Sequence, residues 1–251
     1  MDLGLTDRVY LVTGGSRGLG RAGAEALVAE GARVVISGRS EAGVLAAASE
    51  LGTRAVGVTA DNADLATPER LIAAAQARWG RLDGALISVG GPPIGDALGV
   101  SDEEWRSSFE SVFLGAVRLC RAVIAELGEG GALALVLSSS VRAPVPGLAV
   151  SNGLRPGLAM VAKTLSDEVG SRGIRVNGLL PGRVATDRLT ALDAAGGDPE
   201  AARQAACRSI PLGRYGEPAE FGRVAAFLLS PAASYLTGVM VPVDGGMQRS
   251  L

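Results

Sequence analysis

The sequence predicts an α/β fold: one doubly wound domain whose seven-stranded parallel sheet carries helices on both faces. Three observations carry that expectation. Short apolar runs alternate with longer amphipathic segments along all 251 residues. Most runs are continuous rather than alternating, as strands buried on both faces of a parallel sheet read. Apolar residues make up 47% and charged residues 20%, enough for a large core and too apolar for disorder.

The strand runs fall at 9–13, 33–37, 55–59, 85–89, 133–138, 175–180 and 239–243. The intervening segments have helical periodicity. In 102–127, Phe109, Val112, Phe113, Ala116, Cys120, Val123, Ile124 and Leu127 form one stripe. In 152–171, Leu154, Leu158, Val161, Leu165 and Val169 form another, and both stripes are expected to face the sheet. Strand–helix alternation of this kind implies right-handed βαβ crossovers. Segment 184–209, rich in Ala, Gly and Asp, is the least patterned and reads as a mobile flap over the carboxyl edge of the sheet. With no repeat, charge block or linker, 1–251 reads as one domain.

Composition removes several functions. A net charge of -2 offers no polyanion footprint, so neither nucleic acid nor a membrane surface is an expected partner. The absence of histidine excludes histidine metal sites, Ser-His-Asp triads and a histidine general base. Cys120 and Cys207 are too few and too far apart for a disulfide framework. The first eight residues carry acids and no basic run before an apolar one, and no window reaches the ~18 apolar residues that span a bilayer. The expected location is the cytoplasm.

The first strand ends in Thr13-Gly14-Gly15-Ser16-Arg17-Gly18-Leu19-Gly20, and a helix opens at once. Glycines let the backbone turn sharply and approach a ligand, while the helix N-terminus offers N–H groups and a positive dipole end to a pyrophosphate. A glycine-rich strand–helix turn alone is weak, but this one closes the first strand of a unit of about thirty residues, the context of a Rossmann-like dinucleotide site. The second strand ends in Ser37-Gly38-Arg39-Ser40, without the acid that grips a ribose 2′-hydroxyl in NAD-selective sites. Arg39 is free for a 2′-phosphate and Arg17 approaches the same group, which favours NADP(H) over NAD(H). Asp61-Asn62, after the third strand, reads as an adenine contact.

Together these residues resemble the short-chain dehydrogenase/reductase family, with the 3-oxoacyl-carrier-protein-reductase-like branch as the nearest general likeness. The resemblance extends through Arg172-Gly173-Ile174-Arg175-Val176-Asn177, Pro181-Gly182 with Thr186, Pro211-Leu212-Gly213-Arg214 with Gly216-Glu217-Pro218, and Val243-Asp244-Gly245-Gly246. It implies an oxidoreductase interconverting a small-molecule carbonyl and an alcohol, and a homotetramer built through two long helices and the C-terminal segment. It also places Val89, Gly90, Pro181, Gly182, Val184 and Thr186 against the cofactor.

The family's proton chemistry rests on a tyrosine, a lysine four residues later, a serine and a helix asparagine. Here the tyrosine column falls on Ser151, the lysine column on Arg155 and the asparagine column on Val112. The serine column falls in Ser138-Ser139-Ser140: spacing to position 151 favours Ser138, and the following valine favours Ser140. The fourth-strand loop, usually Asn-Asn-Ala-Gly, is Ile87-Ser88-Val89-Gly90. No tyrosine stands between Tyr10 and Tyr215, so no shift of register restores the missing one. A serine hydroxyl is a far weaker acid than a tuned phenol, and an arginine stays protonated.

Three readings follow. One is a reductase or dehydrogenase with a rearranged proton donor, using Ser138, Ser151, Asn152 or a water held by Arg155, which would also grip the nicotinamide ribose. The second is an NADP(H)-binding pseudoenzyme acting as sensor or scaffold. The third is the same fold running another chemistry, such as dehydration or isomerisation. The bland alternative is that the four polar residues merely satisfy one another. Fold analogy does not choose among these.

Overall fold

Apolar side chains at every position of a strand must be covered from both sides, and the chain meets this with two helical layers. In the computed structural model, which describes residues 1–194 and 197–249, the strands are β1 (Val9–Val12), β2 (Arg33–Gly38), β3 (Ala55–Thr59), β4 (Gly84–Ser88), β5 (Ala132–Val136), β6 (Arg175–Pro181) and β7 (Met240–Val243). They form one parallel sheet in the order β3-β2-β1-β4-β5-β6-β7. All seven expected strands are present, each within a residue or two of its predicted ends.

Alternate residues of each strand serve opposite layers. Val9 and Leu11 pack with Leu71 of α3 (Thr67–Trp79), Val123 of α5 (Gly115–Glu126) and Leu158 of α6 (Ala149–Val169). Tyr10 and Val12 pack with Leu27 of α1 (Gly18–Ala29), Val44 of α2 (Glu41–Leu51) and Phe221 of α9 (Pro218–Leu229). Each fully buried side chain of this size contributes about 1.5–3 kcal/mol. Among the described residues no helix is long and apolar enough to cross a membrane.

Both predicted stripes need correction. The segment from 102 is α4 (Asp102–Ser108), opened by a Ser101–Glu104 capping box, then a π-helical stretch (Phe109–Leu114), then α5. The wider π turn shifts the face, so Val112, Ala116 and Cys120 stay buried while Phe109 is 41% exposed and stacks on Phe113 at 5.2 Å. On α6, Leu154, Leu158 and Val169 face the core, but Val161 and Leu165 are half-buried; Ala159, Ala162 and Ser166 take the inner face. The least patterned segment, read as a flap, is helical: α7 (Asp187–Ala194) and α8 (Pro199–Ser209), the latter capped by Asp198 and started by a proline. Ala195 and Gly196 of that flap, and the last two residues of the 1–251 domain, lie outside the described residues.

Helices α1 and α9 cross so closely that a Cβ on Gly222 would lie 2.2 Å from the Ala22 carbonyl oxygen. Gly222→Ala should therefore cost about 1–3 kcal/mol of stability. A urea titration should show a lower midpoint at unchanged slope; an unchanged midpoint would contradict this packing.

Candidate functional site

The strand order reverses between β1 and β4, and their connections leave on opposite faces, opening a crevice beyond their carboxyl ends. One side chain ties the two edges. The Thr13 hydroxyl donates to the Ser88 carbonyl (2.8 Å) and accepts from the Ser88 amide (2.9 Å).

On one side of the crevice lies the glycine loop. A Cβ on Gly20 would sit 2.3 Å from the Gly14 carbonyl oxygen, and Gly18 has φ +58, so a larger residue is excluded at the first and strained at the second. Arg17 occupies the N-cap of α1 without a side-chain cap bond, which leaves first-turn amides for a ligand. Ser16 packs beneath Gly38, Leu19 is half-buried, and the Arg17 and Arg39 side chains are both exposed. A dinucleotide's phosphates fit this cradle: it offers amides, two guanidiniums and a backbone that permits close approach. Asp61 is engaged locally, its Oδ1 accepting from Ala63 N at 3.0 Å, while Asn62 is half-buried with its backbone against Gly115 of α5.

The turn after β6 closes the other wall. Pro181 ends the strand, and a Cβ on Gly182 would meet Asp244 at 2.6 Å. Val184 is buried and bridges to Gly216, and the Thr186 methyl lies 4.0 Å from the Cβ position of Gly18. Of the residues expected after β6, Thr186 thus lies against the glycine loop. Val89 is buried, and Gly90 has open space around its Cβ position.

The residues in the proton-chemistry columns are arranged differently from the expectation. Ser138 caps a short 3₁₀ turn, its Oγ accepting from Ser140 N at 3.1 Å. It is Ser140 whose hydroxyl lies 3.1 Å from the Ser151 hydroxyl, and both are buried. Asn152 does not join them: its amide clamps the backbone of Val145, accepting from N at 3.0 Å and donating to O at 2.9 Å. Arg155 is 5% exposed and donates to the carbonyls of Val136, Val89 (3.5 Å) and Gly90 (3.3 Å), leaving Nε buried without a partner. Burial, with the like charge of Arg188 behind it, lowers the Arg155 pKa to about 10. Val112 is buried in the core.

No tyrosine takes over from a distant part of the chain. Tyr10 is core, donating to Leu229 O at 3.2 Å, with its pKa pushed up to about 12 by burial. Tyr215 donates to Asp193 at 3.0 Å, and Tyr235 is fully exposed.

Two groupings escaped the sequence reading. Arg183 donates to Asp193 (2.8 Å) and to the Tyr215 hydroxyl (3.2 Å), locking α7 to the turn before α9. Arg188, on α7, donates to Pro92 O at 2.6 Å. Single arginines and acids in a segment without periodicity give no sign of their partners.

Comparison with known proteins decides the family. The family model described as enoyl-(acyl carrier protein) reductase matches residues 14–248. The chain is 37% identical to L-rhamnose 1-dehydrogenase (NAD(P)(+)) of Azotobacter vinelandii, over 97% of each chain. It is 33% identical to 3-oxoacyl-(acyl-carrier-protein) reductase of Escherichia coli, over 96% of this chain and 97% of that one. The chain belongs to the short-chain dehydrogenase/reductase family. L-sorbose reductase of Gluconobacter frateurii, solved with NADPH and L-sorbose, superposes with a TM-score of 0.93 at 30% identity over 100% of both chains. Short-chain dehydrogenase/reductase relatives of this kind are oxidoreductases, and the sheet, crevice and glycine loop above are the parts of this member that answer to that class.

The Asn152 clamp holds the 144–147 loop beside the serine pair without adding to the chemistry. Asn152→Ala should cost about 1–2 kcal/mol of stability and leave nucleotide affinity unchanged. Equal stability in thermal denaturation would show that the clamp is dispensable.

Proposed function

We propose that this short-chain dehydrogenase/reductase is an NADP(H)-dependent oxidoreductase that interconverts a carbonyl and an alcohol without the family's tyrosine. The observation that carries the reading is the complete cradle around Gly18 and Gly20, joined to a buried hydroxyl pair where the tyrosine and serine columns fall. Gly14, Ser16, Arg17, Gly18, Leu19 and Gly20 would hold the pyrophosphate, Arg39 the 2′-phosphate, Asp61 and Asn62 the adenine side, and Val89, Gly90, Pro181, Gly182, Val184 and Thr186 the nicotinamide half. The bound nucleotide would supply or take up the hydride, and binding and orientation would fall on the chain.

Ser140 and Ser151 would orient the substrate oxygen through their hydroxyls, and the proton for that oxygen comes from water. Ser138 supports the pair by capping the turn that carries Ser140. Arg155 keeps a positive charge beside the nicotinamide half but relays no proton at neutral pH. Holding the reactants in near-attack geometry needs no tyrosine, whereas the lost general acid costs about 10²–10⁴ in rate. The enzyme is therefore slow.

A second reading has its own support. Ser140, Ser151 and Arg155 are all buried, and the Arg155 amino groups are turned onto backbone carbonyls rather than presented to a ligand. That arrangement suits an NADP(H)-binding pseudoenzyme, a sensor or scaffold. In either case we propose a cytoplasmic homotetramer, supported by Phe109 and Met160 exposed on the long helices and Tyr235 near the C-terminal segment.

Each charge-assisted contact to a 2′-phosphate is worth about 1.5–3 kcal/mol, so Arg39→Ala should weaken NADP(H) binding about tenfold or more and barely change NAD(H). Fluorescence titration with both nucleotides, followed by a carbonyl and alcohol panel read at the nicotinamide absorbance, tests the assignment. Equal losses for the two nucleotides would reject the 2′-phosphate grip, and a silent panel would favour the pseudoenzyme.

A further inference from the structure

Two guanidiniums converge on one short loop. Arg155 reaches the Gly90 carbonyl from α6 (3.3 Å), and Arg188 reaches the Pro92 carbonyl from α7 (2.6 Å). The Arg188 side chain lies over Gly91, its Nε 2.7 Å from where a Cβ would be, so a larger residue there would push the guanidinium aside. Among the described residues neither arginine pairs with a carboxylate, and Arg155 retains a buried, unpartnered Nε. Other arginines of the chain do find acids: Arg183 pairs with Asp193, Arg118 with Glu110 and Arg214 with Glu220.

A buried cation without an anion is costly, and carbonyl dipoles offset only part of that cost. The two like charges also oppose each other: burial and the nearby Arg188 charge lower the pKa of Arg155. An anion at this loop would offset both charges. The nucleotide's phosphates belong to the opposite wall, with Arg17, Arg39 and the first turn of α1, which leaves the anion at the β4 loop to the substrate.

We propose that the substrate is an anion: an oxo acid or hydroxy acid whose carboxylate pairs with exposed Arg188, with the Arg155 charge behind it. This deepens the oxidoreductase reading, because it names the substrate class of the same crevice. Arg188 is a specificity residue in this account and takes no part in holding the nucleotide.

Calorimetric titration of the full-length protein, free and saturated with NADP⁺, tests the proposal with 2-oxobutanoate, 3-oxobutanoate and their primary amides. At least one acid should bind about tenfold or more tightly than its amide. Arg188→Gln should abolish that preference with NADP⁺ affinity retained, and Arg188→Lys should keep most of it. Failure of both acids to bind, equal affinity for acid and amide, or an undiminished preference in Arg188→Gln would overturn the proposal. So would a loss in Arg188→Gln confined to NADP⁺, which would assign the arginine to a nucleotide phosphate. A preserved acid preference without any NADPH oxidation would count against the reductase reading alone.

Discussion

Beyond the carboxyl ends of β4 and β5 the backbone carbonyls need donors, and Arg155 supplies them from α6. Its guanidinium joins Val136 at the end of β5 to Val89 and Gly90 beyond β4. Thr13 does the same for β1 and β4 through Ser88. Unpaired buried carbonyls are expensive, so these two side chains fix the width and floor of the site. A planar guanidinium with five donors can bridge three carbonyls, which a single ammonium does with less fixed geometry. An arginine at position 155 therefore shapes the site as well as carrying a charge.

That bridge has consequences on both walls. It draws the β4 loop towards α6, and the same loop receives Arg188 from α7. The segment after β6 is held in turn by the Val184–Gly216 bridge and by Arg183, Asp193 and Tyr215. Exposed Arg17 and Arg39 lie at the glycine-loop end, where the Thr186 methyl approaches Gly18, and Arg188 reaches the β4 loop. Within this frame the Ser140–Ser151 pair is the only side-chain hydroxyl pair described between the two columns that carry the family's proton chemistry.

The sheet was legible in the sequence because both-face burial leaves continuous apolar runs, and the glycine loop because its spacing is imposed by backbone geometry. Helix faces were less so. A π-helical stretch within 102–127 adds a residue to the turn and expels Phe109 from a stripe that 3.6-residue periodicity would bury. Segment 185–209 has a weak pattern because its helices bury few side chains, Leu189 and Ala206 among them, around Tyr215 and Ile210. Positions 138, 151 and 155 could be found by spacing, but their partners could not. Whether Ser138 or Ser140 meets Ser151, and that Asn152 turns to Val145, depends on a 3₁₀ turn and a loop whose hydrogen bonds leave no periodic trace.

The proposed function requires that the nucleotide cradle and substrate crevice persist while the general acid has been lost. Restoring the family pair, Ser151→Tyr with Arg155→Lys, probes this most directly. Single-turnover oxidation of bound NADPH by a panel carbonyl should accelerate about 10²–10⁴-fold over the wild type. If both proteins bind NADPH with similar affinity, the variant remains folded, and neither oxidises it with any carbonyl of a broad panel, the claim of a latent reductase site is contradicted.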